Sequence, residues 1–177
     1  FKTALATTSI ETDKLVEIEN AIGGCAKDTF KMNEDNVTNI INGKGDTDTV
    51  SYENYVTSGV RLNLSTIVAQ TIVVGTTPDI DTILEIENII GSSFSDTFKG
   101  NNVVSNTFNG GMNLTTQVEN VSDENDTVDY STLTGVTDKI IVDLSNTTSA
   151  NVQVTVATVA QGNDTLINIE NVIGGAG

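Results

Sequence analysis

Histidine and tryptophan are absent from this 177-residue chain, and proline and cysteine occur once each, at Pro78 and Cys25. Without histidine there is no imidazole general base, no Ser-His or Cys-His nucleophile pair, and no imidazole metal ligand. One cysteine allows no internal disulfide and says nothing about compartment; Cys25 reads as a small, semi-buried side chain. Basic residues are scarce. Lys and Arg number 8 against 24 Asp and Glu, for a net charge of −16. That excludes a basic patch for nucleic acid or for an anionic membrane, and it makes a cation the natural partner. Aromatic residues are 5% of the chain, so the core is lean and built from Val, Ile and Leu. No apolar run approaches the roughly 20 residues of a membrane helix, so no membrane insertion is expected, and no Met-initiated signal peptide opens the sequence. The chain starts on FKTALATTS and stops mid-phrase at GGAG, which reads as a segment of a longer protein.

What is present is a repeated phrase. KLVEIENAIGGCAKDTFKMNEDN (14–36), DIDTILEIENIIGSSFSDTFKGNN (79–102) and NDTLINIENVIGGAG (163–177) say nearly the same thing. DTVSYENYVTSGVRLNLS (48–65) returns as DTVDYSTLTGVTDKIIVDLS (126–145). The repeats divide one domain into units of approximately 1–47, 48–125 and 126–177. Within them, Asp-Thr-apolar recurs at Asp28, Asp48, Asp81, Asp96, Asp126 and Asp164, with Asn39 and Asn106 at equivalent places. The local step is about ten residues, one short strand and one tight turn. Gly and Asn-Gly precede several of these tripeptides, as turns require. VRLNLSTIVAQTIVV (60–74) and IIVDLSNTTSANVQVTVATVA (140–160) read as β segments, and no stretch carries a helical stripe. The expected fold is all-β, a parallel β-solenoid (β-roll or β-helix) of short stacked rungs with inward apolar columns.

Coiling has a consequence for charge. A residue that recurs at one phase is stacked on its own copies, and carboxylates about 4.8 Å apart repel by roughly 3 kcal/mol per pair at an effective dielectric near 20. A hard cation with oxygen ligands relieves this, and calcium takes carboxylates together with the carbonyls of glycine turns.

These segments resemble the RTX (hemolysin-type) calcium-binding nonapeptide G-G-x-G-x-D-x-U-x, U being apolar. GKGDTDTVS (43–51) is the fullest match, with Lys44 in place of the second glycine. GGCAKDTFK (23–31), GSSFSDTFK (91–99), TTPDIDTIL (76–84), VSDENDTVD (121–129) and VAQGNDTLI (159–167) keep parts of it. The longer phrase is similar to degenerate repeats of large secreted bacterial proteins and adhesins. The resemblance implies calcium held by Asp28, Asp48, Asp96, Asp126 and Asp164, with Asp46, Asp79, Asp81 and Asn106 as further candidates. Asp-Thr also has a plain structural reading, in which Asp accepts backbone N–H groups at the turn and Thr starts the next strand.

In Ile-Glu-Asn-x-Ile-Gly, the apolar residues are expected inward, Glu in solvent and Asn at a corner. Tyr52, Tyr55 and Tyr130 are expected to cover strand edges; an exposed sugar-binding face is the alternative. MNLTTQVENVSDEN (112–125) breaks the rhythm and reads as a bulging loop or a longer rung. The functional expectation is a non-catalytic, extracellular or cell-surface module that folds on external calcium, whose partners are calcium, neighbouring repeats of the same protein, or a surface glycan. The alternatives are a glycan-binding β-helix module and a carbohydrate-active enzyme working through a carboxylate pair.

Overall fold

In Asp-Thr-apolar the first and third residues fall on one side of a strand and Thr on the other, because strand side chains alternate. The computed structural model of the chain describes residues 18–73, 78–100, 104–111, 125–133, 139–143, 150–155 and 163–175. Within these, fifteen strands follow one another: β1 (Asn20–Ile22), β2 (Thr29–Lys31), β3 (Asn39–Asn42), β4 (Thr49–Ser51), β5 (Arg61–Asn63), β6 (Gln70–Val73), β7 (Asp79–Leu84), β8 (Asn88–Ile90), β9 (Thr97–Lys99), β10 (Thr107–Asn109), β11 (Thr127–Asp129), β12 (Lys139–Asp143), β13 (Ala150–Thr155), β14 (Asn163–Ile167) and β15 (Asn171–Ile173). No helix lies among the described residues, so none there is long and apolar enough to cross a membrane.

Three sheets hold the strands, in the orders β1-β3-β7-β6, β12-β13-β14-β10-β8-β4-β2 and β15-β11-β9-β5. Most pairings are parallel, and the apolar residue of each tripeptide is in register with the next. Phe30, Val50, Ile89, Phe108 and Leu166 are successive partners in the seven-stranded sheet. Leu62, Phe98, Val128 and Val172 are partners in one smaller sheet, and Ala21, Ile41 and Ile83 in the other. The Phe98 and Phe108 rings stack across two sheets at 5.9 Å. The molecule is all-β with parallel sheets, compatible with a β-helix or β-roll.

Two places depart from parallel pairing. β6 runs antiparallel to β7, and β13 is antiparallel to both β12 and β14. The connections here are short, and a short link returns a strand antiparallel, whereas a parallel neighbour needs a long crossover. Cys25 is exposed rather than semi-buried, since it sits at the tip of the turn between β1 and β2. Segment 112–125 lies outside the described residues except for Asn125.

Candidate functional site

The recurring aspartates point inward. Asp48, Asp79, Asp81, Asp96, Asp126 and Asp164 are between 0% and 4% exposed, while Asp28 is half-buried and Asp46 is exposed. Two lines of carboxylates result, each joining a segment to its neighbour. The Asp28 N–H donates to Asp48 Oδ1 at 2.8 Å, and the Asp48 N–H donates to Glu87 Oε2 at 2.9 Å. In the second line, the Val60 N–H donates to Asp96 Oδ1 at 2.6 Å, the Asp96 N–H to Asp126 Oδ1 at 2.7 Å, and the Asp126 N–H to Glu170 Oε2 at 2.8 Å. Two further links have the same form. The Asn39 N–H donates to Asp81 Oδ1 at 3.0 Å, and the Asn106 N–H to Asp164 Oδ1 at 2.8 Å. Charge-assisted bonds of this kind satisfy backbone donors that no strand pairs.

The Glu of the Ile-Glu-Asn phrase is therefore not merely a solvent residue: Glu87 and Glu170 end the two lines. They lie in register with the aspartates, a placement legible only once the segments are stacked.

Glycine before each corner follows from the same packing. A Cβ on Gly43 would overlap Asp48 Oδ2 and the Glu85 carbonyl, and one on Gly91 would overlap Asp96 Oδ2 and the Gly110 carbonyl. Gly110 stands against Asp126 Oδ2 in the same way. The glycine amides pair with the neighbouring segment: Gly43 N–H to Leu84 O and Gly110 N–H to Ile167 O, both at 3.0 Å. Beside them, Asn42 Oδ1 accepts from Lys44 N–H at 2.9 Å and Asn109 Oδ1 from Gly111 N–H at 3.1 Å.

The second carboxylate oxygens meet different surroundings from corner to corner. Asp28 Oδ2 accepts from Gly24 N–H at 2.7 Å, and Asp96 Oδ2 accepts from Ser92 N–H at 2.8 Å. Asp48 Oδ2 is buried without a hydrogen-bond partner, as is Glu170 Oε1. Asp46 turns outward, its Oδ1 accepting from Thr47 N–H at 2.8 Å. Among the described residues no group of three or more Asp, Glu, Cys or His is gathered as a metal site.

The tyrosines are core residues, not an exposed face. Tyr52 and Tyr55 are wholly buried and meet edge to face at 5.1 Å, and Tyr130 is buried as well. Tyr55 Oη donates to Asp79 Oδ2, and Tyr130 Oη donates to Asp164 Oδ2 at 2.7 Å. Burial, foremost, raises Asp81 to about 6, with the charge of Asp79 adding to it and the Asn39 hydrogen bonds opposing. Burial likewise raises Asp79 and Asp164.

No protein-family model matches the chain, and no curated protein matches it.

Proposed function

We propose that the chain is a non-catalytic structural module, a parallel β-solenoid of the RTX type in a secreted or cell-surface protein, whose partners are calcium and neighbouring repeats. The observation that carries the structural role is the pair of carboxylate lines. Asp48, Glu87, Asp96, Asp126 and Glu170 each accept a backbone N–H of the adjacent segment, which is scaffolding rather than catalysis. Within each sheet the parallel strands follow in chain order, β1-β3-β7, β2-β4-β8-β10-β14 and β5-β9-β11-β15, and the chain passes from sheet to sheet between them, which supports winding as a coil.

Calcium fits best at the Gly43–Asp48 corner. It is the fullest nonapeptide match, and there a buried Asp48 oxygen stands unpartnered beside a glycine turn. Asp48 and carbonyls of that turn would hold the ion, which would supply the charge compensation that a stacked acidic column needs. External calcium then favours the folded state by mass action.

The test is circular dichroism and thermal melting of the chain in EGTA and in millimolar calcium. Calcium is expected to raise β content or Tm, and Asp48→Asn to reduce that response. Equal spectra and equal Tm in the two buffers would sink the calcium role.

A further inference from the structure

The two large repeat units differ at one place in the core. Tyr52 and Tyr130 both follow Asp-Thr-Val, and Asp81 and Asp164 both open Asp-Thr-apolar. In the later unit the pair is closed, with Tyr130 Oη donating to Asp164 Oδ2 at 2.7 Å. In the earlier unit the matching atoms, Tyr52 Oη and Asp81 Oδ2, are buried and neither has a partner. The earlier unit also carries a second pair that the later one lacks. Tyr55 stands where the later unit has Leu133, each donating its N–H to the preceding tyrosine carbonyl at 2.9 Å. Asp79 stands where the later sequence has Gly162. Tyr55 Oη takes up Asp79 Oδ2, and Asp79 Oδ1 remains buried and unpartnered.

Three oxygens are thus left over in one part of the core: Tyr52 Oη, Asp79 Oδ1 and Asp81 Oδ2. Their residues are 0%, 1% and 0% exposed. Asp79 and Asp81 alternate on β7 and share its buried face. Their Cα atoms are therefore about 6.7 Å apart, within reach of one ion that takes oxygens at 2.3–2.6 Å. Both carboxylates act on the Tyr52 hydroxyl, whose pKa is raised first by burial and then by Asp81 and Asp79. The charges acting on the carboxylates from neighbouring segments are also acidic: Asp35 on both, and Glu34 on Asp79. Two carboxylates in an apolar interior, with more negative charge nearby, are costly to keep ionised without a positive partner.

We infer that Tyr52, Asp79 and Asp81 form an interior site for one divalent, oxygen-seeking cation of the calcium class. The site is separate from the Asp48 corner and stands or falls without it. The ion takes the place of the hydrogen bond that the later unit makes between Tyr130 and Asp164, and it uses the extra carboxylate that the later unit lacks.

Terbium tests this, since it takes calcium-type oxygen sites and its emission is sensitised by a tyrosine close to the ion. The chain has no tryptophan to compete. The chain, refolded with terbium, is expected to give tyrosine-sensitised emission that calcium displaces. The variants are made in an Asp48→Asn background, so that the proposed corner site contributes no emission; there the emission should persist, and adding Asp81→Asn should abolish it. The double variant Tyr55→Leu with Asp79→Gly copies the later unit, so its fold has a precedent in the same chain; it too should lose emission. If the folded protein gives no emission, or if emission survives in Asp81→Asn or in the double variant, the inference is overturned, and a shared proton or a water joins these oxygens instead.

Discussion

Lys44 holds φ at 75°, in the left-handed region. Its counterpart in the later unit is Gly111, at φ 113°, which makes the same bond to an asparagine Oδ1. Left-handed backbone costs a side-chain-bearing residue about 1–2 kcal/mol. Lys44→Gly is therefore expected to stabilise the chain by about 1 kcal/mol in urea unfolding. Gly43→Ala has the opposite sign. Its methyl has no room between Asp48 and the Glu85 carbonyl, so a loss of about 1–3 kcal/mol is expected. Lys44 was already visible in the sequence as the departure from the nonapeptide, because the pattern calls for glycine there. Glu85 and Asn168, at φ 50° and 51°, carry no such mark. They occupy equivalent corners after β7 and β14 with unlike side chains, and only the backbone shows their kinship.

Among strands, the columns from Phe30 to Leu166 and from Leu62 to Val172 were legible. They follow from tripeptide repetition and from the two-residue period. The inward aspartates were legible by the same rule, since Asp and the apolar residue two places on must share a face; reading Asp as a turn ligand passes over that consequence. The endings of the two lines at Glu87 and Glu170 were not legible, because Asp48 meets Glu87 and Asp126 meets Glu170 across 39 and 44 residues of chain, a pairing that only the stacking sets. Nor was the antiparallel course of β6 and β13 legible, since their alternating pattern suits either direction. The line through Asp96 has a measurable worth. Asp96→Ala removes the acceptor of the Val60 and Ser92 amides, and each buried donor left alone costs about 1–3 kcal/mol. Asp96→Asn keeps an acceptor oxygen and should cost less. Urea midpoints of the two variants check this order, and equal losses would assign the effect to the carboxylate charge, which both variants remove.

For the molecule as a whole, acidity and stability are linked with an unusual sign. Asp79, Asp81 and Asp164 have raised folded-state values, so the folded chain binds their protons more tightly than the unfolded chain does. Their contribution is complete below the ordinary carboxylate range and is lost as pH rises through about 6, the value of Asp81. Glu34, held by Thr57, Val56 and Ser58, and Asp129, held by Lys99 and Ser131, are lowered against the effect of their burial. Their contribution is present above the ordinary range and is lost as pH falls through their lowered values. In EGTA, Tm is expected to fall as pH rises from roughly 4 to about 6, a trend that the net charge of −16 reinforces. A Tm that climbs over that window would contradict the burial of these carboxylates. The corners also bear on how the protein ages. Asn42-Gly43 and Asn109-Gly110 are the kind of dipeptide that deamidates most readily, by attack of the glycine nitrogen on the asparagine amide carbon. In the folded chain both glycine nitrogens are tied to carbonyls of the next segment, and both asparagine amides are held by the residue two places on. Cyclisation to the succinimide therefore has to wait for a corner to open. Slow conversion of asparagine to aspartate or isoaspartate at these two bonds becomes a clock for local unfolding, readable by peptide mass after storage.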